Sequence, residues 1–398
     1  MSKAFAYIGK WEHDPSGNAL GFDIFTYDTI TGKMNYTGSA ASEITVGSTY
    51  YDKKRGVLYA VDEIEILPGC AAGGGRVYAF QIDRETGMLT ELNHRPSFGV
   101  RPSYVTTDAE GKYLICTNHS GKHPVTKSFK GMDDKYHLMA LYDDANTVLF
   151  SLNEDGSIGE AIDMYLHTEL GKQSNPHPHC VVRSPSGKLF FVNDKGGDRI
   201  YVYSVENDRL ILKNGTAVKA EFGSAPRYGV FHPTLPYYFM NTESAAYIAA
   251  YQYDEEGHLT KINTADIVPE HVDTTSVKAG PKTYQSSDLH ISHDGKYLYN
   301  LVREMNTVCV CVIDQVTGAI TSVQHQKIPD QKIPDGQGAG HGIRGCCLSP
   351  DGRFLEIAAF GSGNIITMSI GAEGRLSLVG KANDKQIFHP ANITIIEV

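Results

Sequence analysis

The chain has 398 residues, with 46 acidic against 36 basic side chains and a net charge of −10. That balance argues against nonspecific binding to nucleic acid or to an anionic membrane, since both need a basic surface, but a local cluster of cations can still hold an anionic small molecule. No stretch is long and apolar enough to span a bilayer, and the opening MSKAFAYIGKWEHDPSG has no apolar run of signal-peptide length, so a cytoplasmic protein is expected.

Taken in chain order, one pattern recurs. A short apolar strand leads into an Asp/Pro-Gly type turn. A second strand rich in Tyr, Phe, Leu and Val follows, then Asn, Asp or Glu with a turn, then a third alternating strand. Residues 4–28 (AFAYIGKW, then FDIFTYD) form a partial copy. Clear copies follow near 46–84, 101–153, 175–205, 225–254, 286–314 and 342–370, which makes seven. Gly56, Gly111, Gly187, Gly295 and Gly352 fall at repeat-scale spacings and suit tight hairpin turns. Segments such as FDIFTYD and RIYVYS alternate with period two, as half-buried strands do. Short helical or irregular pieces are expected at 122–136 and 270–278.

Four-stranded units of this length pack radially. The expected fold is all-β: one seven-bladed propeller of antiparallel blades spanning residues 1–398. The final strand ITIIEV (393–398) is expected to complete a blade with N-terminal residues and close the ring. A β-sandwich pair or a β-solenoid is the alternative.

The seven cysteines lie mostly in apolar strand-like runs and include no CxxC pair, which favours reduced, buried thiols over a disulfide framework or a thiolate zinc site. The pairs Asp133-Asp134 and Asp143-Asp144 lack calcium-loop spacing, and Gly73-Gly74-Gly75 has no following Lys to make a phosphate loop. No cofactor and no metal is expected.

The stretch QSNPHPHCVV (173–182), then SPSGKLFFVND (184–194), then Asp198-Arg199-Ile-Tyr-Val-Tyr resembles the seven-bladed lactonases. These include the propeller type of 6-phosphogluconolactonase and the fungal carboxy-muconate lactonizing enzymes. Gly223-Ser-Ala-Pro-Arg227 with His232-Pro233 and Asn241-Thr-Glu243 resembles the next blade of that family. The chain departs from the pattern at Gly345 and Tyr228, where the family usually has His, and at His290, where a positive or apolar residue is usual.

The resemblance implies a site in the central depression, with His179, Arg227, Glu243 and Arg303 as catalytic residues. Lactone chemistry suits such a set. An imidazole moves a proton near neutral pH, cations and fixed donors stabilise charge on the carbonyl oxygen, and guanidinium forks match carboxylate and phosphate. His179 is the expected general base or acid, or else a satisfied buried histidine. Arg227 and Arg303 contact substrate or form inter-blade salt bridges. Glu243 is a second acid/base or orients Arg227. His119, Arg344 and Glu63 are substrate-contact candidates from matching places in the blades, and His177 shapes its loop between two prolines or contacts substrate. His290 and His341 are weaker candidates. The basic stretch 118–127 is either a rim selecting an anionic substrate or a solvated loop.

The expected activity is hydrolysis of a sugar-acid lactone by a monomer or homodimer, with no nucleic-acid or membrane partner. An intramolecular lactonizing enzyme of the cycloisomerase type and a non-catalytic binding platform remain alternatives.

Overall fold

The computed structural model describes residues 3–11, 20–67, 69–70, 73–171, 175–215, 217–269, 284–303, 305–329, 342–385 and 387–398. Seven antiparallel sheets form, each with a path of four strands. Blade 1 is the exception in chain order. Its innermost strand is Pro390–Glu397, followed outward by Ala4–Lys10, Phe22–Tyr27 and Met34–Ala40. The inner strands of blades 2 to 7 are Val46–Asp52, Pro102–Thr107, Pro178–Arg183, Pro226–Phe231, Ser286–Ile291 and Ile343–Leu348. Each inner strand packs on the next, and Pro390–Glu397 packs on both Ile343–Leu348 and Val46–Asp52, so the ring closes.

Closure rests on the pairing of the C-terminal strand with Ala4–Lys10, where Phe5 faces Ile396 and Tyr7 faces Thr394. Joining the two ends of the chain in one sheet pairs the inner edge of Ala4–Lys10.

The blades are covered on both faces by their neighbours, which explains their burial. The second strands Val57–Asp62, Tyr113–Asn118 and Phe354–Ala359 are buried at every residue, whereas the outer strand Ile158–His167 alternates between buried and open positions. The core is accordingly divided into seven apolar clusters, each shared by two adjacent blades. Blades 2 and 3 meet through Tyr59, Val77, Leu114 and Phe150, and blades 4 and 5 meet through Phe191, Phe231, Tyr238 and Tyr251. Gly111 and Gly295 sit in the turns between inner and second strands with φ of 72° and 73°, a conformation in which a side chain is strained.

Residues 122–136 depart from the helical or irregular expectation. Val125–Lys130 and Tyr136–Leu141 form a separate two-stranded ribbon, from Val125 opposite Leu141 to Lys130 opposite Tyr136. The Gly131 N–H donates to the Lys135 carbonyl, and Asp134 turns the chain with φ of 62°. The expected segment 270–278 lies outside the described residues.

Candidate active site

The site is assembled from one device repeated in every blade. The inner strand begins with a residue paired to the end of the second strand. The pairs are Val46 with Asp62, Pro102 with Asn118, Pro178 with Asp194, Pro226 with Thr242, Ser286 with Val302, Ile343 with Ala359 and Pro390 with Lys10. The register slips immediately beyond that pair in all seven blades. Such a bulge re-aims the side chain that follows it. The residues so placed are Gly47, Ser103, His179, Arg227, Ser287, Arg344 and Ala391.

A second ring comes from the residue just past the second strand. Its N–H donates to the carbonyl of the residue just before the inner strand: Glu63 to Thr45, His119 to Arg101, Lys195 to His177, Glu243 to Ala225, Arg303 to Gln285 and Trp11 to His389, at 2.8–3.3 Å. Two of the accepting residues, Arg101 and His177, themselves place a guanidinium and an imidazole at this end of the ring. Arg101 is held in the left-handed region with φ of 52°, a rare conformation for a non-glycine residue. All these positions lie at one end of the ring.

Glu243 is the hub. Its Oε2 accepts from Arg227 Nε at 2.8 Å and lies 3.4 Å from Arg303 Nη2, and its Oε1 lies 3.3 Å from Lys195 Nζ. Those four side chains come from three blades. Arg227 also donates to the Ser287 carbonyl, and Arg303 donates to the Ser286 carbonyl at 3.0 Å. Burial alone would raise the Glu243 carboxyl, but Lys195, Arg303 and Arg227 together hold it well below the usual range. Glu243 therefore stays ionised and accepts hydrogen bonds. Lys195 is lowered from its ordinary value by burial, against the pull of Glu243 and with the help of Arg227 and Arg303.

The imidazoles form a contiguous patch. The His119 ring centroid lies 5.2 Å from His177 and 5.1 Å from His179, and His179 lies 5.2 Å from the Tyr228 ring. The Arg227 guanidinium also lies over the Tyr228 ring, 4.8 Å from its centroid. Burial, and then the charges of Arg227, Lys195, Arg344 and Arg303, hold His179 neutral well below the ordinary histidine value. Burial and the neighbouring imidazoles and cations do the same to His119, and His177 is lowered to about 4 by burial and Lys195. His179 Nδ1, His119 Nε2 and both His177 ring nitrogens have no hydrogen-bond partner among the described residues. A neutral imidazole with an open nitrogen can accept a proton from water.

The third sector is Glu63, Arg101, Trp11 and Arg344. Glu63 accepts from Trp11 Nε1 at 2.9 Å and from Arg101 Nη2 at 3.2 Å. The Arg344 guanidinium lies 3.8 Å over the Trp11 ring. Burial lowers Arg344 to about 10, against the pull of Glu63, so it remains a cation at neutral pH. A cleft of about 370 Å³ opens beside this sector, lined by Trp11, Glu63, Arg101, Lys122 and His123 among others. The basic loop 118–127 thus contributes Lys122 and His123 to the rim.

Five cations, Arg101, Lys195, Arg227, Arg303 and Arg344, and the two carboxylates Glu63 and Glu243 surround the three neutral imidazoles, with Asp194 behind His177 and Asp288 near Arg227.

The family model for "Lactonase, 7-bladed beta-propeller" matches residues 5–334. The chain belongs to the seven-bladed β-propeller lactonase family. Among curated relatives it is similar to the 6-phosphogluconolactonase of Bacillus subtilis, with 24% identity over 385 residues and 95% of each chain covered. It is also similar to the 6-phosphogluconolactonase of Formosa agariphila, with 24% identity over 369 residues and 90% of each covered. The solved structure of the periplasmic gluconolactonase of Pseudomonas aeruginosa shares its fold, with a TM-score of 0.80 at 19% identity over 99% of both chains. Among the described residues, no helix is long and apolar enough to cross a membrane.

In this lactonase the eight site residues expected from sequence all fall on the repeated positions: His177, His179, Arg227 and Arg344 at the inner-strand start, His119, Glu63, Glu243 and Arg303 past the second strand. Arg227, Glu243 and Arg303 are in direct contact, as are His119 with both His177 and His179. His290 lies further down its inner strand, and His341 lies outside the described residues. Sequence reasoning missed Lys195, Arg101, Trp11 and Tyr228. The signal was present: Lys195 and Trp11 occupy the same repeat position as Glu243, and Arg101 the same position as His177.

Proposed function

We propose that the chain hydrolyses the lactone of a sugar acid that carries an anionic group, a 6-phosphogluconolactone-like substrate. The observation that carries this reading is the gathering of five buried or half-buried cations around three neutral imidazoles. Such a gathering favours phosphate or carboxylate.

His179 accepts a proton from water as the water oxygen bonds to the ring carbonyl carbon. Charge collects on the carbonyl oxygen, facing Arg227 or Arg303. When the tetrahedral intermediate collapses, the bond from carbon to ring oxygen breaks and that oxygen takes the proton back from His179. The product is a hydroxy acid, whose carboxyl group then releases its proton to solvent and leaves as the carboxylate. Glu243 positions Arg227, Arg303 and Lys195 and keeps them charged. Arg101, Arg344 and the His119–His177 pair hold the remote polar groups, with Glu63 orienting Arg101. The seven free thiols suit a reducing cytoplasm.

The test is a lactone panel, phosphorylated and not, followed by pH-stat. The phosphorylated sugar lactone should open well above its spontaneous rate. His179→Ala should reduce that rate by about 10²–10⁴-fold, the range for losing a general acid–base group, with the melting curve retained. Turnover unchanged in that variant would remove His179 from the reaction.

A further inference from the structure

Below the catalytic mouth, three donors of different chemistry face one another across two inner strands. Asp288 and His290 are two residues apart on Ser286–Ile291, hence on the same face of that strand. Cys346 comes from the adjacent inner strand, Ile343–Leu348. A carboxylate oxygen of Asp288, a ring nitrogen of His290 and the Cys346 sulfur all lie within 4.8 Å of one another. His290 Nε2 and Asp288 Oδ2 are 3.4 Å apart.

The proposed lactone chemistry uses none of the three. We propose that Asp288, His290 and Cys346 bind a late first-row divalent cation, with Zn²⁺ the best match, in the central channel. A mixed O, N and S donor set selects against Mg²⁺ and Ca²⁺, which take oxygen ligands, and suits zinc. Three protein ligands leave a fourth tetrahedral position open.

The surroundings are those of a built site. Asp288 and Cys346 are buried at 7% and 2% exposure, whereas the His290 side chain keeps 32%, which gives an ion a way in. The Asp288 carboxylate is oriented by backbone donors, Leu289 N–H to Oδ1 at 2.8 Å and Cys346 N–H to Oδ2 at 2.9 Å. Such outer hydrogen bonds fix the direction of a metal-binding carboxylate. Cys346 N–H and Asp288 also tie the two strands together, so the ligands from blades 6 and 7 are held in a fixed relation before any ion arrives. No sequence motif announces the group, because the thiol and the carboxylate are 58 residues apart.

The test uses the full-length protein, stripped with chelator, loaded with Zn²⁺ and desalted. One zinc per chain is expected by elemental analysis. Loading with Co²⁺ instead should give tetrahedral d–d bands and a near-ultraviolet thiolate-to-cobalt band. His290→Ala and Cys346→Ser should each weaken binding by about tenfold or more. Cys346→Ser should also remove the thiolate band. His290 is partly open, so its variant keeps the test valid if Cys346→Ser proves unstable. Cys309 and Cys311, whose sulfurs are 3.9 Å apart, are the rival thiol site; Cys309→Ser should leave the band intact. Failure to retain zinc, or a band that survives Cys346→Ser and disappears in Cys309→Ser, overturns the proposal. Neither result bears on lactone hydrolysis, which the pH-stat measures separately.

Discussion

Glu243 Oε2 accepts a hydrogen bond from Arg227 Nε at 2.8 Å, and the same carboxylate faces Arg303 and Lys195 from the two flanking blades. One anion therefore holds three cations in place around the axis. Glu243→Gln leaves those cations partly uncompensated. Removing one member of a buried charge cluster costs on the order of 3 kcal/mol. Denaturant unfolding should show a loss of that size, and kcat/KM for the phosphorylated lactone should fall. A variant with parental stability and activity would contradict the positioning role.

The imidazole patch makes stability fall in mild acid. His177 is lowered to about 4, and His119 and His179 lie well below their ordinary value. Above pH 6.5 these groups are neutral in both folded and unfolded chains and contribute nothing. As pH falls below 6.5 the unfolded chain takes up protons that the folded chain refuses, so stability declines towards pH 4. Each such histidine contributes up to about 1.4 kcal/mol per pH unit. His177→Gln should flatten the stability profile between pH 6.5 and 4, measured by urea unfolding. An unchanged slope would show that His177 titrates normally.

Glu356 gives the opposite sign. It is buried in the second strand of blade 7, accepts from the Tyr27 hydroxyl at 2.9 Å and from Thr367 at 2.8 Å, and is raised to about 8, chiefly by burial. Above pH 4.5 the unfolded chain loses a proton that the folded chain keeps, so stability falls until about pH 8. Glu356→Gln removes that titration. The stability of the variant relative to the parent should rise by about 1.4 kcal/mol per pH unit from pH 4.5 to 8. A constant difference across that range would refute the shift.

If the mouth takes up the anionic lactone proposed above, its five cations make that capture sensitive to salt. Raising ionic strength should increase KM for the phosphorylated lactone and leave a neutral lactone nearly unaffected. Arg344, stacked 3.8 Å over Trp11, should not be replaceable by lysine. Arg344→Lys should raise KM several-fold with little change in kcat, read by initial rates on both substrates. Equal salt dependence for both lactones would count against an anion-binding mouth.

The blades were legible because each repeats the same local code of alternating strands and glycine turns, and strand formation responds to that code over a few residues. Among the candidate site residues, His179, Arg227, Glu243 and Arg303 came from the family resemblance, and His119, Arg344 and Glu63 from matching places in the repeated blades. Lys195, Arg101 and Trp11 escaped because their partners are remote in the chain: Trp11 meets Glu63 across 52 residues and Lys195 meets Glu243 across 48. The ribbon at 125–141 escaped because its strands are exposed throughout and show no buried face to set a period.

The sequence by itself determined the all-β class, the number of blades and the closing strand, since these follow from repeated short-range patterning. Only the tertiary structure decided which charges share Glu243, which imidazoles are held neutral, and that Asp288, His290 and Cys346 face one another. Those outcomes depend on ring closure, which brings bulges from seven separate blades to one axis, and no short-range pattern encodes that convergence.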